Sequence, residues 1–117
     1  MATVYLNMHG FNTIIVEENK GNGEINITGP EIKNMPFALA LEHIANTTCS
    51  KLNIGNNRLT DDAAEALAFT LNASIHIKEV CIGTHNFTSD GIAEFQKMPY
   101  ISLKKITLGG KVIVERT

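Results

Sequence analysis

Four histidines, two cysteines and one adjacent aspartate pair are the groups in this 117-residue chain with an evident capacity for chemistry. A metal site needs imidazole, thiolate or carboxylate ligands at short, fixed spacings. His9, His43, His76 and His85 are scattered, and none has a second ligand at such a spacing. Asp61-Asp62 follows Thr60 and precedes an alanine-rich run. That arrangement reads as a helix start, with a hydroxyl cap and two carboxylates complementing the helix dipole, and not as an acid/base pair. The glycine pieces Gly21-Asn22-Gly23 and Gly109-Gly110 lack the Lys and Ser/Thr of a phosphate loop. No enzymatic activity, metal or cofactor is expected.

The elements that carry these residues follow a recurring frame. Cys49, Leu52, Ile54, Asn57 and Leu59 fall on the pattern L-x-x-L-x-L-x-x-N-x-L, continued by Ala63-Ala64, Leu67 and Leu71. Ile77 restarts it, through Val80, Ile82, Phe87, Gly91, Ile92 and Phe95. Leu103, Ile106, Leu108 and Ile113 begin a further copy, and Ile25, Ile27 and Ile32 with Phe37, Leu41 and Ile44 form a degenerate one upstream. The Cys49–Leu71 stretch resembles the leucine-rich repeat family, in its long, ribonuclease-inhibitor-like form. The resemblance implies an α/β fold: a short solenoid with a curved, largely parallel sheet, outer helices and β-hairpin caps at both ends.

Within a single domain, 1–117, the frame marks an N-terminal β cap (1–21), a degenerate repeat (22–48), two repeats (49–76 and 77–102) and a partial repeat ending in a hairpin (103–117). The cap is read from VYLNM and TIIVE, separated by turn residues. Helices are expected from Pro36 to about Asn46, after Thr60, and from Thr88 to Pro99. ITLGGKVIV predicts a hairpin across Gly109-Gly110. A simple two-residue turn would pair Thr107 with Val112 and Lys105 with Val114, leaving both valines on the concave side. Alternation points Cys49 into the core and Cys81 to the opposite face, so no disulfide joins them and a reducing setting is consistent.

Repeat proteins of this kind bind through concave strands and the neighbouring loop rim. The expected function is therefore a non-enzymatic protein–protein interaction module. Its concave face would comprise Lys51, Asn53, Lys78, Glu79, Cys81, Lys105, Thr107, Val112 and Val114, with Arg58 and His85 on the rim. The third position of each copy, Glu24, Lys51, Glu79 and Lys105, predicts a charge ladder whose members neutralise one another across strands. An alternative is a self-assembling unit, a homodimer paired through edge strands. A lesser one is a regulator of small GTPases that uses Arg58, since long repeats also build such activators. In the family, the Asn57 side chain binds backbone groups of adjacent turns; the second copy departs from the pattern with His85 in that slot.

Composition narrows the partners. A net charge of −2 with both signs mixed gives no electrostatic reason to expect nucleic acid or acidic lipid. No apolar run approaches the ~20 residues of a membrane span, and MATVYLNMHG lacks the basic start and apolar block of a secretory signal. The sequons at Asn26, Asn46, Asn72 and Asn86 then reflect an Asn-rich composition. Short stand-alone repeats of this type resemble those of intracellular bacteria, so the expected location is the cytoplasm, of the producing cell or of a host if the chain is a secreted effector.

Overall fold

Short segments in which apolar and polar residues alternate form strands, and the segments between them that carry apolar residues three and four apart form helices. In the computed structural model, which describes residues 1–117, the strands are β1 (Ala2–Leu6), β2 (Ile14–Asn19), β3 (Glu24–Thr28), β4 (Lys51–Ile54), β5 (Glu79–Ile82), β6 (Lys105–Leu108) and β7 (Lys111–Glu115). The helices are α1 (Asn34–Asn46), α2 (Asp61–Ala73) and α3 (Ser89–Gln96). All seven strands lie in one sheet in chain order. Helix α1 begins two residues ahead of Pro36; proline is tolerated there because first-turn N–H groups have no helical partner.

Connection length decides strand direction. Connections too short for a crossover join β1 to β2 and β2 to β3, turning at Gly10 (φ 85°) and Gly23 (φ 73°) among others, so both pairings are antiparallel. A helix separates β3 from β4, β4 from β5 and β5 from β6, and each return over the sheet makes a parallel pair. Strand β7 turns back antiparallel through Gly109 (φ 57°) and Gly110 (φ 85°), a pair of positive-φ residues that suits a two-residue hairpin.

This arrangement overturns the largely parallel leucine-rich-repeat solenoid inferred from Cys49–Leu71. Three of the six pairings are antiparallel, so the fold is a mixed α/β sheet with three helices. Its extents of 39 × 34 × 23 Å and radius of gyration of 13.0 Å are those of a compact domain of this length. The leucine pattern reported a local strand–turn–helix unit, which a compact mixed sheet uses equally well. What it did not encode is that the first three strands need no helical crossover.

The core lies between the sheet and the helices. Leu52, Ile54, Val80, Ile82, Ile106 and Leu108 are each at most 4% exposed, packed against Phe37, Ile44, Leu67, Leu71 and Phe95 in the same buried cluster. The intervening strand residues stay half-exposed in β4, β5 and β6, so the helices cover only one face.

The last strand departs from the simple hairpin. Thr107 pairs with Val112 as expected, but Ile106 pairs with Val114 and Lys105 with Glu115, because Ile113 is an extra residue in β7. Such a bulge shifts the register by one and reverses the side chains beyond it. Val114 is consequently in the core at 6% exposure, while Val112 stays out at 42%. The Ile113 carbonyl accepts from Gln96 Nε2 at 3.0 Å, and Arg116 lies over the Tyr100 ring, 5.1 Å from its centroid. These contacts fasten the shifted strand to the end of α3.

Leu52→Ala should cost about 2–5 kcal/mol in a urea titration. Val112→Lys should stay within about 0.5 kcal/mol of the parent, whereas Val114→Lys should unfold the chain or destabilise it severely. Equal effects of the two lysines would contradict the bulge.

Candidate binding surface

The sheet face that no helix covers carries two side-chain rows in strict register. One is Glu24, Lys51, Glu79 and Lys105; the other is Asn26, Asn53, Cys81 and Thr107. The first row occupies the anticipated positions without forming the anticipated ladder. The ion pairs of the molecule are Lys33–Glu31, Arg58–Glu31 and Lys97–Glu94, and none is on this face. Asn53 Nδ2 instead donates to Glu24 Oε1 at 3.3 Å and to Asn26 Oδ1 at 2.8 Å. Lys51 and Lys105 have no carboxylate within 4.0 Å. Exposed pairs yield little against the entropy of fixing two long chains, so an amide contact displaces them at little cost.

Cys81 sits among these charges. Partial burial pushes its thiol above the ordinary value, Lys51 and Lys105 pull against that, and Glu79 adds to it, its carboxylate 3.8 Å from Sγ. The group is a neutral thiol near pH 7. Cys49 is 2% exposed on the other side of the sheet, and both cysteines are free. Towards the ends of the parallel strands, a shallow depression of about 350 Å³ is lined by Asn26, Thr28, Asn53, Cys81, Thr107 and Gly110 among others.

The remaining expected residues divide among four places. Val112 stays on this face, and Val114 is in the core. Lys78 is exposed just before β5, where its amide donates to the Ser50 carbonyl at 2.7 Å and its own carbonyl accepts from Lys104 at 2.8 Å. Arg58 and His85 lie beyond the opposite strand ends, lining one hollow of about 310 Å³ with Glu31, Asn56, Thr84 and Asn86. None of those four was expected on the rim from the sequence, where Asn86 stood out only as a sequon. The Asn56-Asn57 doublet at the exit of β4 is the signal that would have pointed to them.

The rim is built by short-range capping. Asn57, 8% exposed, donates from Nδ2 to the Gly55 carbonyl and accepts the Leu59 N–H at Oδ1, both at 3.0 Å. Its side chain therefore closes its own turn, not the adjacent ones. The adjacent turn is tied by the Asn57 N–H to the Thr84 carbonyl at 2.9 Å and by Asn56 Oδ1 accepting from Thr84 N at 3.0 Å. His85 performs half of the Asn57 role: Nδ1 accepts the Phe87 N–H at 3.0 Å, which sets the proton on Nε2, and the ring stacks on Phe87 at 4.9 Å. Arg58 Nε lies 3.9 Å from Glu31 Oε1, and its side chain is 65% exposed.

The helix starts are clasped to one another along the helical layer. Asn34 exchanges two hydrogen bonds with Thr60, Nδ2 to Oγ1 at 2.6 Å and N–H to Oδ1 at 3.0 Å. The Thr60 hydroxyl thus serves Asn34 and does not cap α2. Asp61 repeats the arrangement with the Thr88 amide and hydroxyl. A Cβ on Gly91 would stand 2.2 Å from Asp61 Oδ1, so glycine admits the carboxylate there. The bonds from the Thr88 hydroxyl, then the Thr88 and Gly91 amides, hold the Asp61 carboxyl below its usual range.

No group of three or more His, Cys, Asp or Glu side chains is placed to hold a metal ion, and no helix is long and apolar enough to cross a membrane. Comparison with protein-family models, with curated proteins and with solved structures found no match.

A maleimide should modify Cys81 in the native protein, faster as pH rises towards its elevated pKa, and reach Cys49 only on unfolding. Equal native labelling of the two would place them on one side of the sheet. Asp61, with its folded pKa lowered, contributes stability that is complete above the unfolded carboxylate value and lost as pH falls through the folded one. Asp61→Asn should therefore flatten the acid limb of the stability–pH curve; an unchanged limb would show that the clasp carries no linkage.

Proposed function

We infer that the chain is a non-enzymatic protein-binding module that engages its partner through the helix-free sheet face and the adjoining rim. The observation that carries this reading is the uncovered face itself. Its central row of small, uncharged side chains, Asn26, Asn53, Cys81 and Thr107, lets a partner backbone approach closely. The flanking Lys51 and Lys105 ammonium groups lack carboxylate partners and are available to one on another protein. Arg58 and His85 supply polar contacts at the strand ends. The face offers no large aromatic or arginine anchor of the kind that dominates tight interfaces, which favours an extended acidic or amide-rich segment bound with modest affinity.

Lys51→Glu combined with Lys105→Glu should abolish capture of the partner from the source cell while leaving the circular dichroism spectrum unchanged. Phe69→Ser, on the far side of the molecule and 70% exposed, should leave capture intact. Retention by the double charge reversal, or loss with Phe69→Ser, would move the interface to the helical layer.

A further inference from the structure

The two edges of the sheet are built differently. Strand β7 has the devices that discourage pairing with another chain: a bulge between Ile106 and Thr107 in its ladder, and Lys111 and Glu115 at its ends. Strand β1, at the other edge, has none of them. Its sequence ATVYL contains no charge and no proline, and its five residues pair with β2 without irregularity. Ala2, Thr3, Val4 and Tyr5 are all exposed, Tyr5 at 63%. The helical layer also stops short of it: a hollow of about 240 Å³ beside α1 is lined by Ala2, Val4, Val16, Glu18, His43 and Thr47 among others. An edge with free backbone N–H and C=O groups and an apolar, partly uncovered flank is a template for another strand.

The sequence of β1 suits a second copy of itself. Antiparallel pairing about a two-fold axis through Val4 sets Val4 against its own counterpart. Ala2 then meets Leu6 of the second copy, and Thr3 meets Tyr5, so small residues oppose large ones on both faces. The axis is perpendicular to the sheet, which keeps both helical layers on one side and brings Ala2, Val4 and Leu6 of both copies into one stripe. Of the carboxylates beside β1, Glu17 and Glu18 stand opposite Thr3 and Ala2 at one end of the strand, and Glu42 of α1 lines the hollow next to it. The two-fold sends the two pairs to opposite ends of the junction, so like charges do not meet. We propose that β1 pairs antiparallel with β1 of a second copy, centred on Val4, and joins the two seven-stranded sheets into one.

A five-residue strand buries less than the roughly 1,600 Å² of a standard interface, so the dimer forms as a function of concentration. The pairing is independent of the binding reading above, because it uses the β1 edge and leaves Lys51 and Lys105 open. Sedimentation equilibrium of the full chain should show the mass climbing from 12.8 kDa towards twice that value as concentration rises. Thr3→Lys with Tyr5→Lys, which sets like charges opposite each other across the axis, should hold the mass at the monomer with an unchanged circular dichroism spectrum. Val4→Cys in a Cys81→Ser background should give a covalent dimer on mild oxidation, and Val112→Cys in the same background should not. Lys51→Glu with Lys105→Glu should leave the dimer intact even though it removes the foreign partner. A monomer at every concentration, a dimer that survives the paired lysines, or cross-linking at position 112 in place of position 4 would each overturn the proposal.

Discussion

One row of apolar side chains across the sheet, Ile25, Leu52, Val80, Ile106 and Val114, is the interaction on which the rest of the structure depends. Each is at most 6% exposed. A second row, Ile27, Ile54, Ile82 and Leu108, lies beside it. Because side chains alternate along a strand, any slip by one residue would exchange these rows for lysine, glutamate and asparagine. That penalty keeps four strands in one register with no help from the polar face. The helices then need cover only one side, and the other is left to be shaped by contacts too weak to reorganise the sheet.

Around that core the turns do repetitive work with interchangeable chemistry. A side-chain acceptor must meet the N–H two residues on at the exit of β4 and again at the exit of β5. Asn57 does so with an amide oxygen and His85 with an imidazole nitrogen. The helix starts show the same tolerance: Asn34 grips Thr60 through an amide, and Asp61 grips Thr88 through a carboxylate. The histidine is therefore first a turn-closing residue, and only its remaining edge is available to the rim. Backbone groups in a short turn cannot be left unpaired, and any short side chain with a suitably placed acceptor satisfies them.

Binding through the uncovered face, as proposed, rests on its charged groups that lack an internal ion-pair partner. The Asn53 amide takes the carboxylate of Glu24, while Lys51 and Lys105, on either side of Glu79 in the register, have no carboxylate within 4.0 Å. The depression at the strand ends, which reaches Ile54 and Ile82, and the polar rim hollow lie at the ends of that surface. The edge strands divide the labour further. A bulge and terminal charges close one edge, while the neutral, regular strand at the other is open to pairing.

The sequence by itself determined the local units. Alternation in KLNI, EVCI and KITL placed Leu52, Val80 and Ile106 inward and Cys81 outward, and spacing within each helix placed Phe37, Leu67 and Phe95 on the buried side. Those are properties of neighbouring residues, set by the periods of strand and helix. Turn residues also signalled strand reversal near both ends of the chain. Three features were settled only by the tertiary structure. The first is that these reversals make three of the six pairings antiparallel, so that one mixed sheet stands where a largely parallel solenoid was expected. The extra residue at Ile113 depends on Val114 finding a place in the core and on Gln96 taking the Ile113 carbonyl, neither of which is near in sequence. The exchange of an expected charge ladder for an Asn53–Glu24 bond depends on how side chains share water and neighbours across strands. Burial periodicity is a local signal, whereas partner choice among exposed polar groups and strand ends is settled where distant segments meet.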